Sequence, residues 1–534
     1  MSSPDLNAAA AAVETARDVV RSGLSHLAGT GSVDTDQVVA YDLAHAAAAV
    51  ETARTLLDYG AKGDEEARIT CAFVADAVAD VATRVYAREA AWGVEPTALD
   101  ATRKFVAAHR DPAFLATIEG PGPRHLDDDF EMVQDTFRRF AEDKIRPVAE
   151  HIHRHNADIP EDIISGLGEL GAFGLSVPEE HGGFAAGGES DYMGMVVATE
   201  ELSRGSLGVG GSLITRPEIL TRALVKGGTE EQKQRWLPAL ASAEAMAAVA
   251  VTEPDYGSDV AGIKASATRT DGGWLLNGVK TWCTFAARAD VLMLLARTDA
   301  DRSKAHRGLS LFVVPKPVAP GEGFVLAQDA GADGGAPGGG RMEGRPIDTI
   351  GYRGMHSYEI AFDGWFVADD NLVGGEEGLG KGFYLQMAGF ENGRLQTAAR
   401  AIGVMQAAYE DARAYAQERV VFGQPIAEYQ LTQAKLARMA VTIQAARQFS
   451  YAVARMMAKG EGSMEAAMIK AYVCKAAEWV TREAMQIHGG YGYAEEYAVS
   501  RYFVDARVLS IFEGADETLC LKVIARRLVE QATA

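Results

Sequence analysis

Residues 511–515 form a short segment in which one carboxylate, Glu513, stands between large apolar side chains and a glycine. A carboxylate among apolar groups has its charged form disfavoured, so it takes up a proton readily and can act as a general base. The following Gly514 allows a ligand to approach the backbone closely. Most glutamates that precede a helix are surface or capping residues, so this segment gains its weight from motifs elsewhere in the chain.

Four further segments rich in polar, aromatic and glycine residues precede it, and each alone is weak evidence for a ligand site. They are residues 251–259, 280–284, 419–423 with Gln430, and 486–492. In this order and at these separations the five segments resemble the motifs of the acyl-CoA dehydrogenase family of flavoenzymes. The resemblance runs from about residue 126 to the end of the chain. Five separated motifs in family order make it specific.

The beginning of the chain carries no such motif. Residues 1–125 are alanine-rich, and the sequence of residues 9–17 recurs identically at residues 46–54. Helical periodicity predicts a pair of similar helices that pack through small side chains, then a third helix from near Ala67 to Tyr86. Two copies are too few for a solenoid, so we expect a structural or oligomer-contact role for this part.

The chain as a whole predicts an α+β fold that is mostly α. The predicted domains are a helical N-terminal extension (1–125), an N-terminal helical domain (126–245), a middle β domain (246–370) and a C-terminal helical bundle domain (371–534). Periodic segments near 383–418, 428–459 and 464–487 suit an antiparallel bundle, and the glycine-rich stretch 331–340 is predicted to be a surface loop. The resemblance implies the acyl-CoA dehydrogenase fold, in which a middle β-barrel-like domain lies between a helical domain and a four-helix bundle, here with an extra N-terminal helical extension.

Composition excludes several classes of function. A hydrophobic content of 48% with 24% charged residues is that of an ordinary globular protein. The net charge of −22 argues against non-specific nucleic-acid binding, which needs basic patches. The four cysteines lack metal-ligand spacing, no apolar run approaches the ~20 residues of a membrane span, and no secretory signal is visible. We therefore expect a cytoplasmic enzyme with no metal, membrane segment or nucleic-acid partner.

The resemblance implies an FAD-dependent α,β-dehydrogenation of an acyl-CoA thioester. Glu513 matches the family's base, which takes the α-proton while a hydride passes to flavin N5. In the family, the backbone N–H of this glutamate and a flavin ribityl hydroxyl bind the thioester carbonyl. Some branches place the base just before a characteristic arginine, which is Arg394 here. That position is Gly393 in this chain, so the assignment stays with Glu513, and Glu391 is the runner-up.

The resemblance also assigns the contacts to FAD. Thr252 and Ser258 match residues at the isoalloxazine edge and the thioester region. Trp282 matches the residue that covers the flavin, and Thr284 matches one that hydrogen-bonds to it. Residues that match contacts to the FAD pyrophosphate and adenosine across a subunit interface are Arg419, Phe422, Gln430, Gln486, Gly489 and Gly490. Glu517 stands at a cofactor-binding position where many members carry Gln. These matches imply a homo-oligomer, either a tetramer or a dimer.

Further segments are similar to a branch of the family that acts on a short, α-branched acyl-CoA ending in a carboxylate. They are residues 351–355, 358–364, 371–378 and 396–401. The similarity implies oxidation of (2S)-methylsuccinyl-CoA to mesaconyl-C1-CoA in the ethylmalonyl-CoA pathway. It also implies electron-transferring flavoprotein as the electron acceptor.

Such a substrate needs room beside the base and a partner for its distal carboxylate, because a buried unpaired carboxylate is costly. Gly393 is consistent with the room. Arg204 and Arg216 flank the segment that corresponds to the acyl-pocket helix, so each is a candidate anchor, and a surface or intersubunit salt bridge is the alternative for each. The other residues expected to bind the substrate are Ser258, Arg394, Phe512 and Gly514.

Three other hypotheses stay open. A dehydrogenase for a neutral, short branched acyl-CoA would be distinguished by the effect of a distal carboxylate on turnover. A flavin oxidase or monooxygenase on this scaffold would be distinguished by rapid reoxidation of the reduced flavin in air. A non-catalytic scaffold protein is the third, and the presence of Glu513 together with the FAD motifs argues against it.

Overall fold

The alanine-rich repeat folds into long helices, because alanine has the highest helix propensity of all residues. Helix α1 spans Leu6–Thr30, α2 spans Gln37–Gly60 and α3 spans Asp64–Val85. The Asp5 side chain caps α1 by accepting a hydrogen bond from the Ala8 N–H. The prediction of two similar helices followed by a third is confirmed.

The computed structural model describes residues 3–319, 321, 323–330, 336 and 338–533. Most of the glycine-rich stretch 331–340, predicted to be a surface loop, lies outside the described residues. The other helices, in chain order, are α4 (Glu89–Trp92), α5 (Arg103–His109), α6 (Pro112–Leu115), α7 (Asp128–Phe140), α8 (Arg146–His155), α9 (Glu161–Glu169), α10 (Ser190–Gly205), α11 (Thr215–Gly227), α12 (Glu230–Ala241), α13 (Gly382–Glu418), α14 (Gln430–Met457), α15 (Ser463–His488), α16 (Ala498–Leu509), α17 (Asp516–Thr518) and α18 (Arg526–Thr533). The strands are β1 (Ala247–Ala250), β2 (Ser266–Thr270), β3 (Gly273–Thr284), β4 (Val291–Arg297), β5 (Leu309–Pro315), β6 (Phe324–Ala327), β7 (Arg341–Ile347), β8 (Ser357–Ala368), β9 (Val420–Val421) and β10 (Gln424–Pro425).

The described residues form two compact units. One consists of Met1–Phe137 with Arg394–Ala534, and the other is Arg138–Gly393. In the first unit, α2 packs against α1, α3, α14, α15 and the π-helical turn Leu519–Ala525. The N-terminal extension therefore packs directly against the C-terminal helices.

The second unit is built around a mixed sheet. Among the described residues its strand order is β1-β4-β2-β3-β8-β7-β6, and β5 pairs with β4. Strand β4 is buried along its whole length. Leu292 and Leu294 belong to one apolar core, whereas Met293 and Leu295 belong to another core that includes residues of α11 and α12. This division follows from the alternation of side chains along a strand. The predicted α+β fold with a middle β domain is confirmed.

No helix among the described residues is both long enough and apolar enough to cross a membrane. Cys71, Cys283, Cys474 and Cys520 are all buried, and none of them forms a disulfide.

A buried lysine just after β5 gives the sheet unit a pH-dependent stability. Burial lowers the pKa of Lys316 from 10.5 to about 8, and its Nζ donates to the carbonyls of Ala287 and Pro317. The unfolded chain therefore binds more protons than the folded one between these pKa values, and stability rises with pH in that window. We expect the free energy of unfolding of Lys316→Met, relative to wild type, to fall by about 2 kcal/mol between pH 7.5 and pH 10.

Urea denaturation at the two pH values measures this difference. The exposed Lys459 serves as a control, since Lys459→Met removes a surface lysine. If the difference in the free energy of unfolding between Lys316→Met and wild type stays constant with pH, the buried ammonium is not the cause of the pH dependence.

Candidate active site

Glu513 lies in the loop between α16 and α17 and has a left-handed backbone conformation. Its φ is +55°, and that of the following Gly514 is +95°. The Glu513 side chain is only 5% exposed. A non-glycine residue with such a φ is uncommon, and strained conformations of this kind cluster at functional sites. The next helix, α17, begins at Asp516.

A buried arginine lies beside the Glu513 carboxylate. The Nη2 atom of Arg400, on α13, is 3.9 Å from Glu513 Oε1, and its guanidinium lies 4.8 Å from the centre of the Phe512 ring. A cation therefore lies beside the carboxylate in addition to the apolar neighbours that the sequence indicated. The signal in the sequence was a single charged residue beside Ala398, Ala399 and Ala401, all of which are buried on the same helix.

A buried lysine fixes the backbone of the same loop. Lys470, on α15, donates from Nζ to the carbonyl oxygens of Leu509, at 3.1 Å, and Gly514, at 2.8 Å. Burial lowers the pKa of Lys470, whereas the charges of Glu513 and Asp516 act in the opposite direction. Lys470 therefore joins the end of α16 to the residue that follows Glu513. Sequence reasoning missed this lysine, although it is a lone charge in a run of small and apolar residues.

The arginine of the family motif and its neighbours lie within α13. Arg394 and Gly393 are consecutive and both buried, whereas Glu391 is half-buried. Gly393 lies inside a long helix, where glycine is about 1 kcal/mol less favourable than alanine. A glycine at this position is therefore not explained by helix stability, and it fits the expected need for space.

In the sheet unit, a buried ion pair fixes the turn that carries Thr252 and Ser258. The Glu253 carboxylate accepts hydrogen bonds from the backbone N–H groups of Lys264 and Ala265 and from Lys280 Nζ, at 2.7, 2.8 and 2.9 Å. Lys280 is fully buried and also donates to the Val251 carbonyl. Glu253, in the segment 251–259, therefore holds this turn in place together with Lys280.

Strand β3 turns an aromatic residue outward at its end. Its pairing with β8 shifts register between Lys280 and Cys283, and Trp282 has a φ of +58° with 55% of the residue exposed. Thr284 is buried, and its hydroxyl lies 3.0 Å from that of Ser357. An exposed indole on a bulged strand can cover a planar ring, which is the role expected for Trp282 towards the flavin.

The residues expected to hold the FAD pyrophosphate and adenosine lie on the surface of the first unit. The exposed members are Arg419, Phe422, Gln430, Gln486, Gly489 and Gly490. Phe422, in the turn between β9 and β10, is 96% exposed and has a φ of +52°. A Cβ atom built on Gly489 or Gly490 would meet no atom within 4 Å, so this surface is open to a ligand. Glu517, also exposed, lies in α17. An exposed aromatic ring, an arginine and open backbone fit a dinucleotide.

The two candidate carboxylate anchors are both buried, and each is hydrogen-bonded. Arg204, on α10, pairs through Nη1 with Glu142 Oε1. Partial burial raises the pKa of Glu142, but hydrogen bonds and charges from Arg204 and Arg146 hold it below its ordinary value. Arg216, on α11, donates from Nη2 to the Tyr352 hydroxyl at 3.0 Å. Tyr352 belongs to the segment 351–355, one of those similar to the dicarboxylic branch.

Comparison with known proteins agrees with these features. Family models for the N-terminal, middle and C-terminal domains of acyl-CoA dehydrogenases match residues 127–244, 248–365 and 380–529. The first 126 residues lie outside these three matches.

A (2S)-methylsuccinyl-CoA dehydrogenase from Cereibacter sphaeroides is 44% identical over 432 residues, which are 80% of this chain and 74% of that protein. A mitochondrial isovaleryl-CoA dehydrogenase from Solanum tuberosum is 34% identical over 79% of this chain and 95% of that protein. A solved complex of glutaryl-CoA dehydrogenase with glutaryl-CoA superposes with a TM-score of 0.67 and 31% identity, over 75% of this chain and 95% of that chain. The chain therefore belongs to the acyl-CoA dehydrogenase family of FAD-dependent oxidoreductases.

Proposed function

We propose that this acyl-CoA dehydrogenase oxidises (2S)-methylsuccinyl-CoA to mesaconyl-C1-CoA, with Glu513 as the base. The 44% identity to a protein of that activity supports the substrate. The observation that carries the base is the loop geometry: a buried carboxylate lies in a left-handed conformation between backbone atoms that Lys470 holds. A base held in one position needs little reorganisation when the proton moves.

The chain's own residues divide the work of the reaction. Glu513 takes the α-proton, and its backbone N–H donates to the thioester carbonyl, where negative charge develops. Bound FAD would supply the acceptor for the hydride that leaves the β-carbon. The isoalloxazine is held by Thr252, Ser258, Trp282 and Thr284. The pyrophosphate and adenosine are held by Arg419, Phe422, Gln430, Gln486, Gly489 and Gly490, and Glu517 occupies a further FAD-binding position. The acyl group is contacted by Phe512, Gly514, Gly393 and Arg394.

We further propose that electron-transferring flavoprotein accepts the electrons and that the active form is a homo-oligomer, as the family motifs imply. We propose a cytoplasmic location, since buried cysteines without disulfides are typical of a reducing compartment. The four-domain division at residues 125, 245 and 370 also remains a proposal.

The substrate is tested by comparing (2S)-methylsuccinyl-CoA with 2-methylbutanoyl-CoA, in which a methyl group replaces the distal carboxylate. If a buried cation binds the carboxylate, kcat/KM should favour the dicarboxylic substrate by on the order of 10²-fold or more, because the neutral analogue leaves that cation unpaired. A preference for the neutral thioester would instead support a branched-chain activity like that named for the Solanum tuberosum relative.

We expect Arg216→Gln to lower kcat/KM for (2S)-methylsuccinyl-CoA by about 30-fold or more, because truncating one partner of a buried charge pair costs at least about 2 kcal/mol. The value for 2-methylbutanoyl-CoA should change by less than about threefold, since that substrate lacks the carboxylate. Arg216 is the preferred anchor because Tyr352, which orients it, belongs to a segment shared with the dicarboxylic branch.

Arg204→Gln is the matched variant, since it removes an equally buried guanidinium that pairs with Glu142. It should impair the two thioesters equally. A loss confined to the dicarboxylic substrate in Arg204→Gln would move the anchor to Arg204. Equal losses for both thioesters in both variants would exclude both arginines.

A further inference from the structure

The N-terminal extension contacts the loop that carries Glu513 through two aromatic side chains. Tyr41 and His45 lie one turn apart on α2, with ring centroids 4.6 Å apart. The Tyr41 hydroxyl donates to Asp516 Oδ2, and His45 Nε2 lies 3.1 Å from the same oxygen. Asp516 is 3% exposed, and His45 is buried with it. A side chain of the extension thus reaches a residue three positions after the base.

Asp516 closes the loop on its C-terminal side. Its backbone N–H donates to the Ser510 carbonyl at 3.1 Å, so residues 510–516 form a closed turn around Glu513. Lys470 holds the same turn from α15 through the Gly514 carbonyl. The turn is therefore held by α15 on one side and by α2 on the other, and only the α2 contact comes from outside the part matched by the family models.

The charge of Asp516 is stabilised by these contacts. Burial raises the pKa of Asp516, but the hydrogen bonds from His45 and Tyr41, together with nearby charges, hold it below its ordinary value. Lys475 Nζ also lies 3.7 Å from the carboxylate. A buried carboxylate that lost these donors would be strongly destabilised. The contacts with Tyr41 and His45 therefore stabilise the turn in its present position.

A metal site is the other way in which these residues could be used. His45, Asp516 and Cys520 each offer a ligand atom, and these atoms lie within 4.8 Å of one another. Burial raises the pKa of the Cys520 thiol, which disfavours the thiolate that a metal needs. The Tyr41 hydroxyl donates a hydrogen bond to Asp516 Oδ2, and the Lys475 ammonium lies 3.7 Å from the same oxygen, so this oxygen already has a donor and a cation beside it. The geometry instead favours a pair of hydrogen-bonding contacts from Tyr41 and His45 to Asp516, which we call the brace.

We propose that Tyr41 and His45 of the N-terminal extension are positioning residues for Glu513, which they hold in place through Asp516. The inference rests on the proposed role of Glu513 as the base. The extension then acts on proton abstraction indirectly, through Asp516 and the backbone of the turn 510–516. A displacement of the base by about 1 Å costs on the order of 10²-fold in rate, so loss of the brace appears in kcat.

The test uses the full-length holoenzyme and four variants. Tyr41→Phe removes one hydroxyl, and Tyr41→Phe/His45→Leu removes both donors. His45→Gln keeps a side-chain N–H that can donate to Asp516. Thr52→Val is the matched control, because Thr52 is fully buried on the same helix and its hydroxyl donates to the Ala48 carbonyl one turn earlier.

The readouts are kcat, KM, FAD content, Tm and the kinetic isotope effect with substrate deuterated at the α-carbon. For the double variant we expect kcat to fall about 10- to 100-fold, KM to change by less than about twofold, and the isotope effect to increase, because proton abstraction becomes more rate-limiting. His45→Gln should retain most of the activity, and Thr52→Val should match wild type in kcat. FAD content should be the same throughout. Should the double variant not fold, Tyr41→Phe alone must show a smaller change of the same kind.

The inference is overturned if the donor variants lose activity only through KM, FAD content or Tm, as a structural role would predict. It is also overturned if their isotope effect equals that of Thr52→Val. Metal bound at one equivalent per chain in wild type and lost in His45→Gln would replace the brace by a metal site. Glu513→Gln separates this inference from the proposed function. If that variant stays active, the role of the base fails; if it is inactive while the donor variants are normal, only the brace fails.

Discussion

Replacing Glu513 with Gln is expected to lower kcat by about 10³-fold, since a positioned general base contributes about 10²–10⁴-fold to proton transfer. The amide has nearly the same shape but cannot take a proton at neutral pH. The backbone N–H that binds the thioester carbonyl is unchanged, so KM should stay within about threefold. The visible flavin spectrum should show unchanged FAD content. Stopped-flow reduction of the flavin without oxygen measures the chemical step directly.

Glu391→Gln is the matched control for this result. Glu391 is half-buried on α13, close to the position that carries the base in other branches of the family. It should keep flavin reduction within a few-fold of wild type. If the two variants exchange behaviour, the base lies on α13 and the assignment to the 511–515 loop is wrong.

Lys280→Met is expected to destabilise the protein by about 3–5 kcal/mol, because removing one partner of a buried ion pair leaves an uncompensated charge. Lys280 is fully buried, and the Glu253 carboxylate would keep only its backbone donors. Because Glu253 fixes the turn that carries Thr252 and Ser258, retention of FAD during gel filtration should fall as well. Urea denaturation monitored by circular dichroism measures the loss of stability.

The double variant Glu253→Gln/Lys280→Met should recover about half or more of this loss, since neutralising both partners removes the unpaired charge. Lys233→Met tests a surface pair, because Lys233 pairs with the exposed Glu230. That change should cost less than about 1 kcal/mol. A Lys280→Met loss no larger than that of Lys233→Met would show that the buried pair is not what holds the turn.

The sequence predicted the elements and the motif residues well, because both leave local signals. Alanine runs and helical periodicity indicated α1–α3 and the long helices α13–α15. The segment 511–515 contains Glu513, which has an unusual backbone conformation in the structure. The segment 251–259 contains Glu253, which forms a buried ion pair. The left-handed conformations of Glu513 and Trp282 were not predictable, since neither residue type favours a positive φ.

The surroundings of Glu513 could not be predicted, because they depend on contacts between residues far apart in the chain. His45 and Asp516 are separated by 471 positions, and no local pattern links them. Arg400 and Lys470 were visible as lone charges in apolar helices, yet helical periodicity does not reveal which loop such a charge reaches. The sequence therefore predicts only a structural or oligomer-contact role for the first 125 residues, whereas their contact with Asp516 depends on the packing of α2.

The proposed substrate and the proposed base are tested together by mixing the purified protein, without oxygen, with (2S)-methylsuccinyl-CoA and separately with isobutyryl-CoA. We expect fast bleaching of the flavin band and formation of mesaconyl-C1-CoA with the first thioester only, and no fast bleaching with Glu513→Gln. Bleaching by isobutyryl-CoA alone would contradict the proposed substrate, and equal bleaching of wild type and Glu513→Gln would contradict the proposed base.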